Sequence, residues 1–352
     1  QLYEVFREIK RIFDPYWIMN PGKVVDAPPM VENLRMGDSY EVSGIPEQEF
    51  HFRETLDFES TVHLCSGVGE CLKKEKGVMC PSFRATEDEE HSTRGRANAL
   101  RLAISGQLDN GLENDRLKEA LGLCLSCKAC KTECPSNVDM ARLKSQVNSW
   151  NYKNNGVDLR TRLFARAPEM ARIFSGLFAK RLNAVMNSRI SKYLLDSIAG
   201  ISGERTVPAF SSHPLKKYVS GTNPQNERTR VILFGDTYTS FHEDRIGRKA
   251  ILLLEKLGYL VDFFANGCCQ RPSISLGLLN KAKKEGEKTV ERLMRFAGED
   301  PVIVLEPGCA SAFADDLPDL LNKKESVEFL KKNVYLFEEF LEKFDKPNNH
   351  DP

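Results

Sequence analysis

Ten cysteines stand at 65, 71, 80, 124, 127, 130, 134, 268, 269 and 309, and four of them announce a chemistry. Cys124-Leu-Ser-Cys127-Lys-Ala-Cys130-Lys-Thr-Glu-Cys134-Pro135 has the spacing Cys-x2-Cys-x2-Cys-x3-Cys-Pro. Two-residue gaps let three consecutive thiolates wrap one iron–sulfur cube. The fourth cysteine, past the turn that Pro135 enforces, ligates the other cluster where two are present. A structural zinc site usually uses two separated Cys-x2-Cys knuckles. The run therefore reads as a [4Fe-4S] ligand set, and the chain as a carrier of electrons.

The upstream run repeats the template imperfectly. In Cys65-Ser-Gly-Val-Gly-Glu-Cys71, Val68 holds the second cysteine's place, and eight residues rather than three precede Cys80-Pro81. Crossed ligation would assign Cys80 to the cluster of Cys124, Cys127 and Cys130. Cys65, Cys71 and Cys134 would then share a second site with one corner unmet. That site could be a three-iron cluster, a cubane with a non-cysteine ligand, or nothing, with Cys65 and Cys71 merely buried. His63 is a candidate for the missing ligand, although a lone histidine beside a cluster is more often a hydrogen-bond donor. In His91-Ser-Thr-Arg-Gly-Arg96, Ser92 or Thr93 would cap a helix. Arg94 and Arg96 would lie against the anionic cluster and tune its potential. The rival is a solvated cap paired with the acidic run 87–90.

A third group stands apart. Cys268-Cys269 and Cys309 each follow an apolar run that reads as a strand, and Asp236 ends the first such run. Loops at the carboxyl ends of parallel strands are where open α/β sheets place their sites. The three thiols and Asp236 are expected to converge at one sheet edge as a redox or metal site. The alternative is three small buried hydrophobes.

The elements that must position these residues change character along the chain. Residues 49–200 read as a cysteine-rich helical domain, with helices near 92–106, 112–123, 139–153 and 158–197. Polar segments at 24–48 and 201–228 read as linkers. From 229 to 345 strands (231–234, 260–264, 302–305) alternate with helices (242–257, 275–297, 311–321, 335–344), which predicts a parallel sheet covered by helices. The fold class is thus multidomain: an α-helical ferredoxin-like iron–sulfur part followed by an α/β part. Lys+Arg and Asp+Glu each number 50 in 352 residues, and this balance carries no electrostatic footprint for nucleic acid. No apolar run approaches a membrane span. The first residue is Gln rather than Met, so the start of the protein is expected upstream.

These motifs together resemble a known family. Cys65 to Cys71, Met79-Cys-Pro-Ser82, Glu90-His-Ser-Thr-Arg-Gly-Arg96 and Cys124 to Met140 resemble the FAD and iron–sulfur D-2-hydroxyacid dehydrogenases. That family includes D-lactate, glycolate-oxidase-like and D-2-hydroxyglutarate members. The iron–sulfur part is also similar to the electron-transfer subunit of anaerobic glycerol-3-phosphate dehydrogenase. Residues 231–320, with Asp236, Cys268-Cys269, Leu305-Glu-Pro-Gly-Cys309 and Asp315-Asp-Leu-Pro318, resemble the first half of the "CCG" cysteine-rich region shared with heterodisulfide reductase subunits. Gln270 departs from that signature's glycine, and Asp236 stands where those reductases have a cysteine. Residues 5–23 are similar to the end of an FAD-linked oxidase domain, so 1–23 is read as its tail.

The resemblance implies an internal piece of a longer dehydrogenase. FAD would be bound by an upstream domain and not by this piece, which alone is not expected to be catalytically competent. Electrons would pass to a quinone, a cytochrome or an electron-transfer protein. The location would be cytoplasmic, or peripheral at the inner face of the membrane. A stand-alone electron-transfer subunit is the rival reading.

Overall fold

A computed structural model of the chain describes residues 1–32, 34–37, 40–218, 229–265 and 267–344. Residues 33, 38 and 39 of the first expected linker, residues 219–228 of the second and residue 345 lie outside the described residues.

Helix α1 (Leu2–Phe13) buries none of its side chains. The described part of 40–56 forms no regular element, yet it is core. Phe50 and Phe52 are fully buried, and Ser43 N donates to Ile104 O at 3.0 Å. Next come α2 (Phe58–His63), α3 (Pro81–Thr86), α4 (Thr93–Ile104), α5 (Asp115–Gly122), α6 (Ala129–Glu133) and α7 (Met140–Asn155). Asp57, Ser92, Asn114 and Asp139 cap four of these by accepting an amide of the first turn. The three longer helices fall where the apolar spacing places them.

The single helix expected over 158–197 is instead four: α8 (Leu159–Ala165), α9 (Ala167–Phe174), α10 (Ala179–Met186) and α11 (Arg189–Ala199). Pro168 has no amide to continue α8 and opens α9. Gly176 sits at φ 100°, and Ser188 caps α11 through Ser191 N. The apolar periodicity survives these breaks, which is why the sequence reads as continuous.

The sheet half runs β1 (Arg230–Phe234), α12 (Thr237–Phe241), α13 (Asp244–Lys256), β2 (Leu260–Phe264), α14 (Arg271–Leu276), α15 (Leu279–Ala297) and β3 (Val302–Val304). It continues with α16 (Pro307–Ser311), a π turn over 312–316, α17 (Leu317–Leu321), α18 (Lys324–Asn333), β4 (Val334–Leu336) and α19 (Phe337–Phe344). The four strands are parallel in the order β2-β1-β3-β4, with Ile232 opposite Val302 and Phe234 opposite Phe264. The chain leaves β1 toward β2 on one side and reaches β3 on the other, so the topological switch point lies between β1 and β3. Strand β4 was not expected; its three residues merge into the helical pattern that follows.

Side chains of β1 alternate between two cores. Val231 and Leu233 pack with Ile251, Leu254 and Phe340, together with Leu215 from the supposed linker. Ile232 and Phe234 belong to a core that continues through Ile274 and Phe313 to Phe50, Leu100 and Trp150. Each fully buried Leu, Ile or Phe stabilises the fold by roughly 1.5–3 kcal/mol, and here one contiguous set joins both halves. Among the described residues, no helix is long and apolar enough to cross a membrane.

Candidate metal centre

Cys80, Cys124, Cys127 and Cys130 line one cavity with Thr93, Arg96 and Met140. They arrive from two segments. Cys80 precedes α3 with φ 53°, and the loop from Cys124 enters α6 through Ser126 and Lys128 at φ 53° and 62°. Three non-glycine residues in the left-handed region are costly, and such strain persists where surrounding structure over-determines it. Thr93 N donates to Cys80 Sγ at 3.0 Å, and the Thr93 hydroxyl lies 2.9 Å from the same sulfur. Burial pushes the Cys80 thiol up and raises Cys130 to about 12. Desolvation favours the neutral thiol, so thiolates here need a compensating cation.

The donor set fits a cubane. All ten cysteines are free, and Arg96 supplies an independent observation. Its side chain is 1 % exposed, and its guanidinium donates to Ala120 O at 2.6 Å and Ser82 Oγ at 2.9 Å. Among the described residues no carboxylate pairs with it. A buried guanidinium without a counter-ion is expensive. Four thiolates around an iron–sulfur cube carry net negative charge and would supply that counter-ion. Lys144 adds a second cation, donating to Cys124 O at 2.6 Å.

Cys65, Cys71 and Cys134 do not line this cavity but pack in the same core. Burial pushes the Cys71 thiol up, the nearby Cys65 adds a little to that, and Arg94 N donates to Cys71 Sγ at 3.3 Å. Ser66 Oγ and Ser136 Oγ are 3.0 Å apart, which brings the Cys65 loop beside the Cys134 turn. Val68, at the absent cysteine's place, is 68 % exposed. His63 Nε2 is engaged by the Tyr40 hydroxyl at 2.7 Å, and burial holds its pKa below the usual range. The geometry gives the imidazole a partner other than a metal.

Arg94 and Arg96 part ways. Arg96 faces the cavity, whereas the Arg94 guanidinium pairs with Glu89 at 2.7 Å and reaches Gly67 O at 3.2 Å. For Arg94 the surface ion pair with the acidic run is what forms. Among the described residues, it is the backbone amide of Arg94 that hydrogen-bonds a cysteine.

At the sheet's carboxyl edge Cys269 Sγ donates to Cys309 Sγ at 2.8 Å. Hydrogen bonding to Cys269, then burial, pushes the Cys268 thiol far up. The hydrogen bond with Cys269 lowers the Cys309 thiol, but burial outweighs it and pushes the thiol up, and the charge of neighbouring Asp236 adds to that. Its carboxylate is nevertheless occupied as the cap of α12. Oδ1 accepts Tyr238 N and Thr239 N, both at 2.9 Å, and Oδ2 accepts the Thr239 hydroxyl. Capping explains why an aspartate serves at this position.

One constellation is not legible in the sequence. Lys128, inside the cluster loop, pairs with Asp316 at 2.6 Å, with Asp139 at 3.2 Å and with Asp315. Lys131 and Arg142 reach Asp315 at 2.7 and 2.6 Å, and Arg271 reaches Asp316 at 2.5 Å. Asp139, Asp315 and Asp316 have metal-like spacing, but lysine and arginine side chains already neutralise them. Burial alone would raise the Asp315 carboxyl; Arg142 and Lys128 outweigh it and hold the carboxyl well below the usual range. Arg271 Nη2 also donates to Ser126 O at 2.6 Å. The residue two places after Cys269 thus touches the backbone of the main cysteine run.

Fold and site define an iron–sulfur protein in which a ferredoxin-like domain docks on a parallel sheet. The family profile for a 4Fe-4S dicluster domain matches residues 55–139. D-2-hydroxyglutarate dehydrogenase of Escherichia coli K12 is 25 % identical over 401 residues, covering 97 % of this chain and 37 % of that protein. One polypeptide of the anaerobic glycerol-3-phosphate dehydrogenase of the same organism is 26 % identical over 193 residues, covering 53 % of this chain and 48 % of that polypeptide. A probable glycolate oxidase iron–sulfur subunit of Bacillus subtilis is 28 % identical over 116 residues, 33 % of this chain and 24 % of that protein. The chain thus carries a 4Fe-4S dicluster domain and is similar over nearly its whole length to proteins named as dehydrogenases, which are oxidoreductases. It spans little more than a third of the length of the D-2-hydroxyglutarate dehydrogenases it matches. No solved structure matches it.

Proposed function

We propose that this chain is the electron-relay portion of a flavin-dependent D-2-hydroxyacid dehydrogenase. Cys80, Cys124, Cys127 and Cys130 hold the main [4Fe-4S] cluster, and Cys65, Cys71 and Cys134 are the candidate ligands of a second site, one cysteine short of a cubane. When bound, a cubane accepts and releases single electrons at a potential set by charge and hydrogen bonding around its sulfurs. The chain's own residues supply that setting. Thr93 donates to the Cys80 sulfur, Arg96 places a buried positive charge against the cavity, and Lys128 with Arg271 fixes the loop. FAD belongs to an adjoining domain of the longer protein, and the acceptor is a quinone, a cytochrome or an electron-transfer protein.

The observation that carries this reading is the meeting of four cysteines from two segments around one cavity, against an arginine with no carboxylate partner among the described residues. Anaerobically purified protein is expected to hold at least about four irons per chain and to give an EPR signal on dithionite reduction. Stoichiometric zinc without iron would refute it.

A further inference from the structure

A cavity of about 610 Å³ opens between α8–α11 and the carboxyl edge of the sheet. Its size falls within the roughly 300–1,000 Å³ of small-molecule sites. Phe164, Met170, Phe174, Met186, Phe210 and Tyr238 line its walls, and Cys268, Cys269, Cys309, His242 and Glu306 lie at its sheet side. We propose that this cavity binds a lipophilic quinone, ring toward the thiols and tail along the α8–α11 wall. The proposal rests on the electron-relay reading and names its acceptor.

Three observations favour that ligand class. First, the walls form an aromatic row: Phe174 and Phe210 stand edge-to-face at 5.6 Å, and Phe210 lies over His242 at 5.1 Å with 35° between the planes. Flat rings gain from such neighbours, and methionines adapt to the tail. Second, the polar groups suit both oxidation states. Thiol S–H groups can donate to a quinone carbonyl. His242 Nδ1 lies 2.9 Å from Ala209 O and must donate to it, which leaves Nε2 of the neutral ring to accept a hydroquinone hydroxyl. Third, Arg271 bounds the cavity and also donates to Ser126 O in the cluster loop. A ligand here is one side chain from the proposed main cluster, a position with meaning for a redox partner and none for a saturated lipid.

The test is calorimetric titration of the full iron-loaded chain with a benzoquinone carrying a decyl tail and no free ring position, so that it cannot alkylate the thiols. Saturable one-site binding is expected, with decanol binding at least about tenfold more weakly. Ala167→Trp and Ser275→Trp each fill the cavity and should weaken the quinone by a similar factor while iron content and unfolding midpoint hold. Absence of saturable binding, equal binding of decanol, or unchanged affinity in folded tryptophan variants would each overturn the proposal. Should neither variant fold, the decanol comparison on the unsubstituted chain decides alone. Metal analysis of the same samples separates the two readings. Iron present without quinone binding removes the cavity assignment only, whereas quinone binding with zinc in place of iron removes the electron relay.

Discussion

Arg96→Met separates a cluster's counter-ion from an ordinary buried arginine. The substitution keeps the bulk of the stem and removes the charge. In any form of the protein it strands Ala120 O and Ser82 Oγ, which now accept at 2.6 and 2.9 Å. Hydrogen bonds from a charged donor contribute about 1.5–3 kcal/mol each. In the iron-free form this loss is offset by removal of a buried, unpaired charge, so the net change should be small, about 1 kcal/mol or less. In the iron-loaded form the substitution breaks a buried ion pair by deleting one partner, which costs about 3–5 kcal/mol. The difference between forms, about 2–4 kcal/mol, corresponds to roughly 30- to 700-fold in iron retention. Urea unfolding of both forms, with the rate of iron loss to a chelator, reads the difference. The reduction potential should also fall, because a positive charge that favoured the reduced state is gone. Equal destabilisation of both forms with an unchanged potential would show that Arg96 serves packing alone.

Other expectations bear on the ligands and the frame. Cys127→Ser should remove the main EPR signal and Cys65→Ser should leave it; loss of the same signal by both would sink the crossed assignment. Asp319→Ala deprives Phe52 N and Arg53 N of a charged acceptor at 3.1 and 2.9 Å and removes one carboxylate beside Arg142, which keeps Asp315, and should cost about 3–5 kcal/mol in urea unfolding. A loss below about 1 kcal/mol would show that the buried pair is replaced by water. Gly277 sits at φ 86°, and a methyl there would strike Asn148 Cβ and lie 2.9 Å from Ser145 O of α7. Gly277→Ala should therefore destabilise by about 2 kcal/mol or more, and a neutral result in the same assay would contradict the close approach of α7 and α14.

Legibility in the sequence follows chain distance. The Cys-x2-Cys-x2-Cys run is local, so its three thiols can be grouped without a fold, and Cys80 joins them by a rule about ligand crossing. The strand ends carrying Asp236, Cys269 and Cys309 are legible because parallel strands share one carboxyl edge. The Lys128–Asp316 pair is not, since the partners stand 188 positions apart and each alone looks like a surface charge. Leu215 reads as linker, because nothing local marks one apolar residue among polar ones as the plug of a core. The cavity is invisible for a related reason: its walls are apolar faces of short helices whose breaks only packing reveals.

The core that runs from Trp150 through Ile274 to Phe313 bears on how the protein is made. Its helical side rests on α4, α6 and α7, which are strung between the cysteine loops. Iron delivery would therefore act as a quality gate for maturation. Metal held by the loops at Cys80 and Cys124–Cys130 would steady the surface on which Arg271 and Asp316 close. Iron starvation should thus lower the unfolding midpoint of the whole polypeptide, and not only bleach the cysteine loops.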